Sequence, residues 1–315
     1  DLTRAIILRV LFGDIAAAEG RAVAQALDLA LEHASHRLWS PLGWLDVPIS
    51  GNRQYQSALR TVDGFLSDTI VRARRKGSPP GTLLSLLLDT CGVEGNRQMS
   101  DGELHDELKA FLVAGHTTTA SALAWVGYAL AVNLPVEQRL KRELRAVLEG
   151  RPPGPEDLHA LHYTRMLIME VLRLYPPTWI TARTPVDDDE IGGYRIAANA
   201  IVLLSPFVAH RHPGFWEDPE RFDPERFSPE RSAARPRFAY FPFGGGPRSC
   251  IGSGFASLEM QLVVAMMAQR YHLTLVPGRR VDLDPGLTLR PRPGVLVHPH
   301  QEAPSHRHLR GGATA

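Results

Sequence analysis

Cys250 is the residue in this chain whose surroundings most clearly invite chemistry. It lies near the end of the run Phe241 to Gly252, FPFGGGPRSCIG. Three consecutive glycines, Gly244 to Gly246, let the backbone turn where a Cβ would clash and lie flat against a bulky partner. Pro247 stiffens the loop, and Arg248 places a permanent cation two residues before the sulfur. An apolar helical pattern follows from Phe255 to Tyr271. A sulfur just ahead of a helix N-terminus meets amide N–H groups and the positive end of the helix dipole, which favour a thiolate.

Such a thiolate could serve as a nucleophile, a zinc ligand or a haem ligand. Zinc asks for further Cys or His at short spacing, and the only other cysteine, Cys91, is about half the chain away. A nucleophile asks for a neighbouring base, which the sequence alone leaves open. Haem asks for a flat backbone face, a cation for its propionates and an aromatic ring on the sulfur side, needs that Gly246, Arg248 and Phe243 match. Read as Phe243, Gly246, Arg248, Cys250 and Gly252, the run resembles the haem-ligand signature of the cytochrome P-450 family of haem-thiolate monooxygenases.

The resemblance extends to the elements that would position this loop. A long helix is expected from about Asp101 to Asn133, capped by Ser100 with Glu103 at the capping-box position. Its middle reads AGHTTTASALAW. Ala114 and Gly115 are small enough to let a flat ligand approach the backbone, and a mid-helix glycine costs about 1 kcal/mol. Thr117, Thr118 and Thr119 can return their hydroxyls to preceding carbonyls and open the turn. The segment resembles the family's oxygen-binding groove, which implies that Thr118 helps deliver protons to iron-bound oxygen. In the family an Asp or Glu usually precedes that threonine, whereas Thr117 stands here, so the carboxylate arm of the relay is missing. His116 is next to it, expected on a different helix face.

Tyr163 to Tyr175 reads as a mostly apolar helix carrying Glu170 and Arg173. Charges buried among Leu167, Val171, Leu172 and Leu174 must be paired and fully hydrogen-bonded. The two resemble the family's Glu-x-x-Arg pair, completed here by Arg226 in the second Pro-Glu-Arg-Phe copy of EDPERFDPERF. The role implied is structural: the network would hold the loop so that haem and Cys250 assemble. Arg183 falls where many family members place a strand arginine on a haem propionate, and Thr178, Trp179 and Ile180 would shape the pocket.

The remaining elements are expected as follows. Helices cover Asp1 to Gly13, Asp14 to Trp39 and Asn52 to Lys76, with Pro41, Gly43 and Pro48 breaking the second from the third. Thr82 to Thr90 is a short helix, and the loop Cys91 to Gln98 follows it. A helix from Pro135 carries Glu137, Arg139, Lys141, Arg142, Glu143 and Arg145 on its wet side. Short strands cover Trp179 to Thr184, Ile191 to Ile196 and Ala200 to Leu204. His210, Arg211 and His212 read as a helix-end cluster, because no thiolate partners accompany them for zinc. The segment Arg231 to Arg237 is either a solvated loop or a basic rim for an acidic electron donor. Strands follow from His272, and residues 301–315 read as a disordered tail.

With 315 residues the chain allows a large single domain or two, and 44% apolar with 22% charged residues is ordinary for a globular protein. A net charge of +1 gives no global pull toward nucleic acid or membrane. No run reaches the roughly 18 uncharged apolar residues of a spanning helix. Two cysteines suit a reducing compartment, and a cytoplasmic location is the expectation. The fold expected is mainly α with a small β region, a cytochrome P-450 fold truncated at its N-terminus, with residues 1–300 as one domain. The resemblance implies haem b (iron protoporphyrin IX), an apolar small-molecule substrate, and electrons from NAD(P)H through a ferredoxin or flavoprotein. A haem-thiolate peroxygenase or isomerase, and a haem-free fragment, are the alternative readings.

Overall fold

The computed structural model describes residues 2–14, 20–39, 50–90 and 99–302. Asp1, the link around Pro41, Gly43 and Pro48, the loop Cys91 to Gln98 and residues 303–315 lie outside the described residues. The chain divides into two compact units, residues 1–121 with 285–288, and residues 122–284 with 289–315.

The first unit begins with α1 (Leu2–Phe12), α2 (Gly20–Trp39), α3 (Ser50–Lys76) and α4 (Leu83–Thr90). Gly13, at φ +62°, stops α1 where a side chain would be strained. Ile7, Leu8, Leu11 and Phe12 of α1, Val23, Ala24 and Leu27 of α2, and Val62, Phe65, Leu66 and Ile70 of α3 form its apolar interior. Phe12 meets Phe65 edge to face at 5.3 Å between ring centres. The long helix α5 (Asp101–Val132) starts here. Its capping box is formed: the Ser100 amide donates to Glu103 Oε2 at 2.8 Å, and the Glu103 amide donates to Ser100 Oγ at 3.2 Å. At 1.5 Å per residue α5 extends about 48 Å.

The second unit takes the last part of α5, then α6 (Leu134–Leu148) and α7 (His162–Leu174). Two antiparallel pairs come next. The strand β1 (Thr181–Arg183) pairs with β4 (Val202–Leu204), and β2 (Asp189–Ile191) pairs with β3 (Tyr194–Ile196). The segment Ile191 to Ile196 is thus a hairpin corner rather than one strand, because Gly192 and Gly193 both take positive φ, +59° and +85°. Two short helices, α8 (Pro206–Ala209) and α9 (Pro229–Ser232), precede α10 (Ser253–Arg270). The tail carries β5 (Tyr271–Leu275), β6 (Asp282–Pro285), β7 (Leu289–Arg292) and β8 (Val297–Gln301), with β5 paired to β8 in antiparallel register and β6 beside β7.

The core of this unit joins Trp125, Val126 and Leu130 of α5, Leu140, Leu144 and Leu148 of α6, Leu167, Ile168 and Val171 of α7, and Met260 and Val264 of α10. Trp125 stacks on Tyr175 at 4.2 Å. Glu137 and Lys141 of α6 correct the expectation of a wet side: both are buried. Lys141 Nζ lies 2.8 Å from Glu137 Oε1 and 2.6 Å from Glu302, and His272 Nδ1 lies 2.6 Å from Glu137 Oε2. Glu137 and Lys141 pair with each other, and Glu302 and His272 from the β5 and β8 end of the chain satisfy their remaining atoms, which lets both go inside.

Among the described residues no single helix is long and apolar enough to cross a membrane. The pair α5 and α6 reaches the required composition together but bends by 108° between its members.

Candidate active site

The loop that presents Cys250 is held at both ends. At its start the Phe241 amide donates to His210 Nε2 at 2.9 Å, and the Gly244 amide donates to the Phe241 carbonyl at 2.9 Å. Gly244 and Gly246 sit at φ +72° and +70°, where glycine alone is unstrained. A Cβ on Gly245 would lie 2.6 Å from the Phe238 ring, whereas one on Gly246 would meet nothing within 4 Å, so that face of the backbone is open. Gly246 to Arg248 make one 3₁₀ turn, and the Cys250 amide then donates to the Phe243 carbonyl at 2.8 Å, closing the loop. Phe243 packs half-buried against the core of its unit. The sulfur of Cys250 is free and exposed, Arg248 is exposed beside it, and α10 starts three residues later.

His210 is a residue whose part in the site the sequence does not announce. It is fully buried at the end of α8, and burial drives it down to about 3, so the ring is neutral and its Nε2 accepts from the loop amide. The basic run before the loop is largely engaged inside its own unit. Arg231 donates to Asp223 at 2.8 Å, Arg235 donates to the Arg226 carbonyl at 2.6 Å and lies 4.2 Å over the Trp216 ring, and Arg237 lies over Phe238.

Glu170, Arg173 and Arg226 come together beneath this loop's anchor. Arg173 donates Nε to Glu170 Oε2 at 2.7 Å and Nη2 to Glu170 Oε1 at 2.8 Å. Its remaining donors reach the carbonyls of His210, Pro219 and Arg221 at 2.9, 2.6 and 3.1 Å, so all five are used. Glu170 Oε1 also accepts from the Asp223 amide at 2.8 Å and lies 3.5 Å from Arg226 Nε. Arg226 in turn donates to the carbonyls of Glu217, Asp218 and Arg221. Burial pushes Glu170 up, against the opposing pull of Arg173, the Asp223 amide and Arg226. Through the His210 backbone and ring, this network fixes where the cysteine loop begins.

Helix α5 stays α-helical through Ala114 to Thr119. Thr118 is half-buried and returns its hydroxyl to the Ala114 carbonyl at 2.9 Å, while Ala114 itself is exposed. Gly115 corrects the expectation of a second open position. A Cβ there would lie 2.7 Å from Cδ1 and 2.8 Å from Cγ1 of Ile7, so this glycine admits α1. Thr117 Oγ1 lies 3.1 Å from His116 Nε2, so the two side chains meet, whereas the helix angle between them predicts different faces. Arg183, at the end of β1, is exposed and donates to Thr181 Oγ1 at 3.0 Å and to the Ala182 carbonyl at 2.8 Å. Two acids have surroundings that the sequence does not announce, Glu143 among the residues expected on the wet side. Glu143 of α6 accepts from the amides of Tyr163 and Thr164 and caps α7. Glu259 of α10 is buried with neither carboxylate oxygen hydrogen-bonded, and burial raises it to about 7.

The donor chemistry fits a group held through one sulfur. Among the described residues no three His, Cys, Asp or Glu side chains converge as a metal site. Cys250 offers one exposed sulfur near an uncovered glycine face and the exposed Arg248, which is what a flat, anionic macrocycle requires of a protein loop.

The chain belongs to the cytochrome P450 family, whose model matches residues 3–299. It is 42% identical over 243 residues to cyclooctat-9-en-7-ol 5-monooxygenase of Streptomyces melanosporofaciens, covering 77% of this chain and 53% of that protein. It is 34% identical over 259 residues to pentalenene oxygenase of Streptomyces avermitilis, covering 82% and 58%. Among solved structures, the haem domain of cytochrome P450DA superposes with a TM-score of 0.87 at 27% identity, covering 96% of this chain and 67% of that one. The chain thus spans about half the length of the curated relatives it matches.

Proposed function

We propose that this chain carries the catalytic machinery of a monooxygenase that inserts one oxygen atom of O₂ into a cyclic, apolar, terpenoid-like small molecule. The observation that carries this reading is the exposed Cys250 sulfur in a glycine loop closed on the Phe243 carbonyl and braced by His210. Two relatives are named for oxidising a cyclic alkenol and an alkene, which supports a hydrocarbon skeleton as substrate. When bound, haem b supplies the activation of O₂ and the thiolate's electron donation favours O–O cleavage.

The residues divide the work by chemistry. Cys250 would hold the iron of bound haem through its sulfur, with Phe243 packed near it; Gly246 and Ala114 would leave room for the macrocycle, and Arg248 and Arg183 would be the cations for its propionates. Gly115 contributes by letting α1 close on α5. Thr118 and Thr117 hold protons on the oxygen side, and Glu170, Arg173 and Arg226 keep the loop in place. Electrons come from NAD(P)H through a ferredoxin or flavoprotein. Residues 1–300 act as one catalytic domain in this reading, and the two cysteines support a reducing, cytoplasmic setting.

The test is turnover of the haem-loaded chain with cyclic terpene hydrocarbons, NADPH and a ferredoxin with its reductase, under isotopically heavy O₂. Product carrying one heavy oxygen is expected. The hydroxyl-bearing Thr117, standing where the family usually has an acid, favours a second reading: a peroxygenase that turns over with hydrogen peroxide and not with the reductase. Product only under peroxide would establish it.

A further inference from the structure

In the first unit a buried imidazole has the partners of a proton carrier. His116 is 6% exposed, and its Nδ1 lies 3.2 Å from the Leu112 carbonyl. A carbonyl only accepts, so Nδ1 carries the hydrogen and the neutral ring presents a bare lone pair at Nε2. That nitrogen is 3.1 Å from Thr117 Oγ1 and 3.7 Å from Asp28 Oδ1. Asp28, on α2, keeps its side chain 57% exposed, and its other oxygen is bonded to Arg4 of α1. Water thus reaches the carboxylate, the carboxylate faces the ring, and the ring touches the hydroxyl beside Thr118.

The groups acting on the ring come from each element packed against it. Burial lowers His116 most, the Leu112 carbonyl and Asp28 raise it, and Arg4 lowers it further; the balance lies below the ordinary histidine value. A ring that is neutral near pH 7 and shifts its proton readily suits transfer better than a fixed imidazolium.

We propose that Asp28 and His116 supply the relay arm that position 117 lacks, with His116 Nε2 taking protons from water at Asp28 and passing them to the Thr117 hydroxyl. This rests on the monooxygenase reading above. The resting ring has no hydrogen at Nε2, so a solvent proton delivered past Asp28 first forms the Nε2–H bond; that bond then breaks as Thr117 Oγ takes the proton, and Thr117 hands its own hydroxyl proton to a water on its other side, returning ring and hydroxyl to their starting forms. No electrons move. A solvent proton arriving at the Asp28 carboxylate then reloads Nε2. His116 acts through Thr117 and is a positioning and relay residue.

The test follows the His116 ring proton by NMR in the full chain without haem, assigned by its loss in His116→Gln. Asp28→Asn is expected to lower the His116 midpoint, since a facing carboxylate stabilises the imidazolium. Arg4→Gln, which leaves both partners in place, is expected to raise it, and keeps the test decisive if Asp28→Asn misfolds. Thr117→Val is expected to change the nitrogen shift at Nε2. A midpoint that neither charge variant moves overturns the relay. In the haem-loaded chain His116→Gln is expected to keep the carbon-monoxide spectrum of the parent while diverting electrons to peroxide and losing the parent's pH profile. A normal spectrum with unchanged coupling and profile also overturns the relay; a parent without the thiolate spectrum sinks the monooxygenase reading and the relay with it.

Discussion

Arg173 meets Glu170 as a two-pronged fork, Nε to Oε2 at 2.7 Å and Nη2 to Oε1 at 2.8 Å, with neither side chain reaching solvent. A charge pair this deep is expensive to assemble and more expensive to break, because removing one member strands the other. Here the strand of cost is wider than a pair, since Arg226 lies 3.5 Å from the same carboxylate.

Glu170→Gln is therefore expected to destabilise the chain by about 3–5 kcal/mol, leaving two buried guanidinium groups without their anion. Urea unfolding of parent and variant measures it. A loss below about 1 kcal/mol would mean that the backbone carbonyls around Arg173 and Arg226 suffice to hold the charges.

Glu143→Ala removes the side-chain acceptor that, among the described residues, serves the start of α7, where Leu161 makes no side-chain cap. The amide of Tyr163, and the amide and hydroxyl of Thr164, lose their partner. The expected cost is about 1–2 kcal/mol by thermal or urea melting. Glu143→Gln, which keeps one acceptor oxygen, is expected to lose less.

How far these features could be read in advance depends on how local their causes are. The Ser100 and Glu103 box, the glycine corners of the cysteine loop and the apolar stripe of α7 are written within a few residues, and they emerge where the sequence places them. The charged side of α6 points Glu137 and Lys141 toward water. What takes them inside is His272 and Glu302, more than a hundred residues later. Gly115 has the same history: its neighbours in sequence suggest a ligand face, and Ile7 of another helix occupies the space. His116 next to Thr117 looked separable by helix angle, yet a long ring beside a short hydroxyl closes the gap to 3.1 Å. The structural part of His210 was hidden because its acceptor role depends on an amide thirty-one residues away in sequence.

Glu259 gives the chain a pH dependence of its own. With its value raised to about 7 by burial and no partner among the described residues, the folded state holds its proton more tightly than the unfolded one. The sign follows directly: the stabilisation is fully present below the ordinary carboxyl value near 4.5 and is lost as pH rises toward about 7. Glu259→Gln, an uncharged match for the protonated acid, is expected to melt with the parent near pH 5 and above it near pH 8. Thermal melts at the two pH values decide it, and equal gaps at both would show that the carboxylate finds a partner.

The claim on which the account depends is that Cys250 binds haem iron through its sulfur. The most direct measurement is the carbon-monoxide difference spectrum of the haem-loaded, dithionite-reduced chain, taken beside Cys250→Ser. The account predicts the strongly red-shifted Soret band of thiolate ligation in the parent and its absence in Cys250→Ser, with both chains folded by circular dichroism. An identical spectrum in the two, or a folded parent that takes up no haem, would contradict it.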